Sequence, residues 1–238
     1  MSSWQVVVFD LDDTLYPERE YVLSGFRAVA QWAAENAGIP AGEGFAGLHA
    51  LFEQGVRGDT FNRWAALYGH DPAVLVPACV RVYREHTPAI VPFEGVPQLL
   101  AALRTHYRLG LISDGYLDVQ RRKFAALRLA EYFDAVVFSD ELGRAAWKPS
   151  PQPFEEVARQ LGIAPGAAVY VADNPAKDFL GARRAGMASI WLRRPGGEYT
   201  WLTPATPDHL PDLTVATLAD LEQILFERDA IRFIAPQA

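Results

Sequence analysis

Residues 4 to 16 read WQVVVFDLDDTLY, a run that changes character halfway along. Val6, Val7, Val8 and Phe9 form a continuous β-branched and aromatic stretch, the pattern of a strand covered on both faces and therefore of a parallel sheet. At its carboxyl end Asp10, Asp12 and Asp13 crowd three carboxylates into four residues. Such mutual repulsion is unfavourable without a cation, and open α/β sheets bind ligands at the carboxyl ends of their strands. The stretch reads as half of a Mg2+ site that also carries a nucleophile. Asp and Thr also favour turns and helix caps, so on these residues alone a plain turn is the competing account.

Beyond Tyr16 and Pro17 the period changes. Val22, Phe26, Val29 and Ala33 recur at helical spacing until Gly38 and Pro40 stop the helix. Three further helical pieces follow at about 45 to 54, 60 to 68 and 72 to 86, the last with Pro72 in its first turn and Pro77 inside it. No strand pattern occurs between about 17 and 90. From Pro92 strands and helices alternate: strands at 108 to 112, 135 to 138, 168 to 172 and 189 to 192, helices between them, and a closing helix at 218 to 227. With residues 6 to 9 this makes five strands, which predicts an α/β fold: a three-layer, Rossmann-like parallel sheet with right-handed crossovers. The expected organisation is a core domain from residues 1–16 and 91–238, with a smaller all-helical domain at 17–90.

The composition narrows the function. With 238 residues and 50% apolar content the chain supports a packed core. A net charge of -7 argues against a nucleic-acid partner, which demands a basic face. Cys79 is the sole cysteine, so neither an intramolecular disulfide nor a cysteine zinc cluster is available. No apolar run approaches the ~18 residues of a membrane span, no leader pattern precedes the first strand, and a cytoplasmic protein, monomer or homodimer, is the expectation. The five histidines have no ligand spacing. Arg19, Tyr16, Arg57, Asn62, Arg63 and Trp64 are cap or near-cap candidates for contact with a leaving group, but they carry no motif and surface helices hold such residues routinely.

Three predicted strands end in reactive groups: Asp10 with Asp12, then Ser113, then Asp173 with Asp178 five residues on. Lys148 follows a fourth, in Trp147-Lys148-Pro149. Adjacent parallel strands bring such ends together across more than 160 residues of sequence. Phosphoryl transfer uses these groups: carboxylates for a hard cation, an amine, a hydroxyl and amides around the phosphoryl oxygens, a carboxylate nucleophile and a second carboxylate for proton transfer.

DLDDT at 10 to 14, ISDG at 112 to 115, KP at 148 to 149 and ADNPAKD at 172 to 178 together resemble the four motifs of the haloacid dehalogenase superfamily. The helical insertion resembles that superfamily's type 1 cap. The resemblance covers residues 6 to about 192 and implies an Mg2+-dependent phosphatase acting on a small phosphorylated substrate, a sugar phosphate or nucleoside monophosphate, through an aspartyl phosphate. It implies Asp10 as nucleophile and metal ligand, Asp12 as general acid and base whose carbonyl also binds metal, and Asp173 as the remaining protein ligand. Ser113, Asp114, Gly115, Thr14 and Lys148 would surround the phosphate, Thr14 would also orient Asp12 or the motif backbone, and Asp178 and Asn174 would support the site from behind. Asp114 stands where the family often has asparagine, so its side chain is expected to point away. The longer Arg144-Ala145-Ala146-Trp147 segment leaves the approach of Lys148 open. A 2-haloacid dehalogenase and a phosphomutase are alternatives on the same fold, and a non-catalytic binding module is a third. Asp12 argues against the dehalogenase, whose leaving halide takes no proton.

Overall fold

The computed structural model describes residues 4–234. The chain divides into two compact units, Met1–Pro17 with Val91–Ala238, and Glu18–Ile90.

The larger unit is built on a parallel sheet of β1 (Val6–Phe9), β2 (Arg108–Ser113), β3 (Ala135–Phe138), β4 (Ala168–Ala172), β5 (Ala188–Leu192) and β6 (Leu213–Val215), in the order β3-β2-β1-β4-β5-β6. The sixth strand is an addition to the five expected. It is three residues long and lies at an edge beside β5, too short to give a readable period. β1 is central, and its four residues are fully buried. In register, Phe9 pairs with Leu111 on one side and Val171 on the other. Asp10 and Asp173 therefore leave neighbouring strand ends, and Ser113 closes the strand on the other flank. Chain order reverses between β1 and β4, the crevice where open α/β sheets bind ligands.

Helices complete the layers. Val6, Val8, Ile112 and Tyr170 share a core cluster with Phe154 and Val157 of α7 (Gln152–Gln160) and Phe179 and Ala182 of α8 (Asp178–Ala185). The unit also contains α5 (Val96–Leu103), α6 (Leu117–Leu127) and α9 (Leu218–Ile234), α9 running beyond the expected end at 227. The hydroxyl of Tyr107, just before β2, donates to the Leu225 carbonyl at 2.7 Å and ties α9 down.

The smaller unit contains α1 (Glu18–Asn36), α2 (Ala41–Glu53), α3 (Thr60–Leu67) and α4 (Pro72–Glu85), and among its described residues no strand. Its core joins Phe26, Val29, Leu48, Phe52, Trp64 and Cys79. Trp64 is fully buried and its indole donates to the Gly44 carbonyl at 2.8 Å, so it is a packing residue. Arg63 pairs with Asp59 at 2.9 Å, and Arg19 pairs with Glu53. Asp71 caps α4 by accepting from the Ala73 amide at 2.9 Å, with Pro72 at the first helical position. Burial pushes the Cys79 thiol up to about 11, the behaviour of a structural cysteine.

α7 and α8 meet at a glycine. A Cβ on Gly181 would lie 2.5 Å from Phe154 Cε2 and 3.1 Å from the Ser150 carbonyl oxygen. Gly181→Val is expected to destabilise the protein by about 1–3 kcal/mol through overpacking, measured as a lower urea midpoint at unchanged m, and Phe154→Leu in that background should recover part of the loss. An unchanged midpoint would mean that the two helices are not in close contact there.

Candidate active site

The chain leaves β1 at Asp10 and turns sharply. Asp13 takes φ +52, a left-handed conformation that aspartate tolerates better than most residues, and the Leu15 amide closes the turn on the Leu11 carbonyl at 3.0 Å. Asp10 is itself pinned by its amide to the Val171 carbonyl at 3.0 Å. Its carboxylate, with those of Asp173 and Asp178, forms a buried group whose ligand oxygens lie within 4.8 Å of one another. Oxygen-only donors at this density suit a hard divalent cation.

Lys148 enters this cluster from the loop after β3. Its Nζ donates to Asp10 Oδ1 at 2.5 Å and to the Tyr170 hydroxyl at 2.9 Å, and lies 2.8 Å from Asp178 Oδ1. The side chains of Lys148 and Asp178 are fully buried. The added residues 144 to 147 do not displace the lysine, because two carboxylates fix the loop. Asp114 Oδ2 accepts from the Lys148 amide at 3.0 Å, and its other oxygen accepts from Ser139. Asp140 accepts from the Trp147 indole at 3.0 Å and from the Leu117 amide at 3.0 Å, joining the loop to the start of α6. Trp147 also meets the Tyr116 ring edge-on at 6.0 Å, with the Arg144 guanidinium over both rings, so it is a packing residue of the loop.

The remaining motif residues shape the same edge of the sheet. Thr14 is buried and its hydroxyl donates to Asp173 Oδ1 at 3.4 Å, which places it on the metal-type cluster and not on Asp12. Ser113 donates to Gln120 Oε1 at 2.9 Å. Gly115 has φ +133, and a Cβ there would fall 2.4 Å from Gln120 Nε2, so both backbone and packing require glycine. Asn174 accepts from the Ala176 amide at 3.0 Å, and its own amide donates to Asp178 Oδ2 at 3.0 Å.

Asp12 faces a different set of groups. Its Oδ1 accepts from the buried ammonium of Lys123 at 2.7 Å and from the Tyr16 hydroxyl. Four residues with no motif of their own are therefore part of this region: Lys123, Gln120, Tyr170 and Asp140. The first three sit on stripes that are otherwise apolar. Val119, Gln120, Lys123 and Leu127 make the buried face of α6, and Tyr170 lies amid Ala168, Val169, Val171 and Ala172. Neither motif nor period singles these residues out in the sequence, where Gln120 and Lys123 read as the solvated side of an amphipathic helix.

Burial and charge set the ionisation. Burial, with help from Asp178, pushes the Asp10 carboxyl up to about 6 against the pull of Lys148. Burial also raises Asp173 well above the usual range, reinforced by Asp178 and Asp10. For Lys148, burial would depress the ammonium, but Asp10 and Asp178 outweigh it and hold it well above its usual value. Burial likewise works against an ionised Asp12, and the charge and hydrogen bonds of Lys123 and Tyr16 outweigh it, leaving the carboxyl below its usual value.

A family model described as Haloacid dehalogenase-like hydrolase matches residues 7–192. A glyceraldehyde 3-phosphate phosphatase from Methanopyrus kandleri is 33% identical, over 94% of this chain and 97% of its own length. A phosphoserine phosphatase from Thermus thermophilus is 30% identical, over 91% of this chain and 97% of its own. Among solved structures, a 2-haloacid dehalogenase from Pseudomonas syringae superposes with a TM-score of 0.63 at 28% identity, covering 94% of this chain and 99% of that one.

The raised carboxyls have a consequence for stability. A folded-state pKa above the unfolded value means that stability is full below the unfolded value and is lost as pH rises through the folded one. For Asp10 that window runs from the ordinary carboxyl value of 3.8 to about 6. In a chelator, Tm should therefore be higher at pH 5 than at pH 7, and a divalent cation should remove most of that difference by favouring the ionised carboxylates. A thermal melt series checks this; a Tm that falls on acidification, or is unaffected by the cation, would contradict it.

Proposed function

The chain belongs to the haloacid dehalogenase-like hydrolases, and within that family we propose that it is an Mg2+-dependent phosphomonoester hydrolase working through an aspartyl phosphate on Asp10. The observation that carries this reading is the Lys148 ammonium held against Asp10 and Asp178 beside Asp173. Relatives named as phosphatases of glyceraldehyde 3-phosphate and of phosphoserine support a small phosphorylated metabolite as substrate. Their different substrates limit the assignment to that class, within which we favour a sugar phosphate or nucleoside monophosphate. Among the described residues no helix is long and apolar enough to cross a membrane, and a cytoplasmic location is part of the proposal.

The donor set fits Mg2+: carboxylate oxygens only, buried, and within 4.8 Å of one another. Asp10 and Asp173 would hold the ion, with the Asp12 carbonyl as the family-implied third ligand and Asp178 supporting through Lys148. When bound, the ion supplies positive charge for the phosphoryl oxygens and keeps the neighbouring carboxylates ionised. Asp10 then attacks phosphorus as the ester oxygen departs, and that oxygen takes the Asp12 proton. In the second half, water attacks phosphorus, its proton passes to Asp12, and the bond between Asp10 and phosphorus breaks to release phosphate. Lys148 offsets charge on Asp10 and on the transferred group. Asp12 is held ionised by Lys123 in the protein alone, which is the form the second half needs. An incoming phosphoryl dianion raises a neighbouring carboxyl and so favours proton uptake for the first half.

The dehalogenase neighbour makes the discrimination necessary. Attack on carbon with a halide leaving group has no use for a proton donor at Asp12, and the Lys123 and Tyr16 contacts that hold the Asp12 carboxylate favour the phosphatase. Turnover of p-nitrophenyl phosphate should be abolished by EDTA and reduced on the order of 10³-fold or more by Asp10→Asn, as for loss of a nucleophile. Survival of activity in either case, or metal-free chloride release from 2-chloropropionate, would overturn the assignment.

A further inference from the structure

α6 begins two residues after Gly115 and presents Gln120 and Lys123, three residues apart, on its buried face. Gln120 serves Ser113, and Lys123 serves Asp12 across 111 residues of sequence. Lys123 is 2% exposed, and its ammonium is 2.7 Å from the Asp12 oxygen. The Tyr16 hydroxyl reaches the same Asp12 oxygen from the other side of the turn, four residues on. Asp12 remains partly accessible, with 17% of its side chain exposed. One carboxylate oxygen is thus held by two donors, leaving the other oxygen outside this pair of contacts.

A buried lysine is a costly residue for a helix face whose other members are Val119, Gln120 and Leu127, since an ammonium taken out of water is destabilising until a partner offsets it. An apolar side chain would pack that position more cheaply. A carboxylate that transfers protons in both halves of a reaction gains from being fixed: displacement of a reacting group by about 1 Å can cost on the order of 10²-fold in rate. We propose that Lys123, with Tyr16, is a positioning residue for the reaction, holding the Asp12 carboxylate in the orientation from which it exchanges protons with the leaving oxygen and with the attacking water. This rests on the phosphatase reading above, and it adds a residue from outside the four motifs.

The test uses the dependence on leaving group. Specificity constants, kcat/KM, report steps up to departure of the ester oxygen, where an acid matters for an alkyl phosphate and little for p-nitrophenyl phosphate. In Lys123→Met, kcat/KM for glycerol phosphate should fall at least about tenfold more than that for p-nitrophenyl phosphate, a partial loss of the roughly 10²–10⁴-fold that general acid–base catalysis supplies. Lys123→Arg should recover part of the difference. In an Asp12→Asn background Lys123→Met should cost little more, because the group it positions is gone. Tyr16→Phe, a change of one oxygen, should show the same selective loss to a smaller extent, and it serves if the lysine variant fails to fold. Equal losses on both esters, or full additivity with Asp12→Asn, would make Lys123 a structural staple and overturn the proposal. Failure of the phosphatase reading itself shows separately, as activity that survives Asp10→Asn.

Discussion

A buried ammonium set among buried carboxylates is the contact on which this molecule depends. Asp10, Asp173 and Asp178 sit too close together, and too far from water, to be ionised at ease. Lys148 compensates part of that charge from the loop after β3. The fold supplies the rest of the conditions. The order β3-β2-β1-β4-β5-β6 places Asp10 and Asp173 at adjacent strand ends, at the point where the chain reverses direction across the sheet. Asp114 and Asp140 then anchor the loop that delivers the lysine. Neither carboxylate needs to touch a substrate to matter.

Two residues apart on one turn, Asp10 and Asp12 live in opposite electrostatic settings. Burial drives the first up to about 6, while Lys123 and Tyr16 hold the second below its usual value. Pairs of carboxyls with separated ionisation are how proteins divide nucleophile from acid and base. Here the protein alone sets them in the reverse of the order that attack on phosphorus calls for. The occupants proposed for the site correct both: a divalent cation favours the ionised Asp10, and a phosphoryl dianion favours the protonated Asp12.

Much of this was legible in the chain. The strand at Val6–Phe9, the alternation after Pro92 and the four short motifs follow from periodicity and from residue types that have few other uses in such spacing. The convergence of Asp10, Lys148, Asp173 and Asp178 follows from the rule that parallel strands share one carboxyl edge. Other parts were not legible, for identifiable reasons. β6 is too short to show a period. Lys123 and Gln120 sit on the buried face of α6, where sequence reads them as surface residues of an amphipathic helix. Tyr170 reads as an ordinary aromatic strand residue, and only the structure puts its hydroxyl between Lys148 and Asp178. Ser113 and Thr14 were recognisable as polar motif residues, but their partners, Gln120 and Asp173, depend on tertiary packing. In the helical unit, side chains such as Trp64, Arg63 and Arg19 are engaged within that unit and carry no pattern that names a substrate.

In the proposed reaction Asp10 becomes covalently phosphorylated because Lys148 and its acidic neighbours assemble around it. The most direct measurement is to quench a single turnover with a phosphomonoester in acid, reduce with borohydride, which converts an acyl phosphate to an alcohol, and map the peptides by mass spectrometry. The account predicts homoserine at chain position 10 and nowhere else, absent when Lys148→Met replaces the wild type. Phosphate release with no modified aspartate, or modification at another acidic residue, would contradict it.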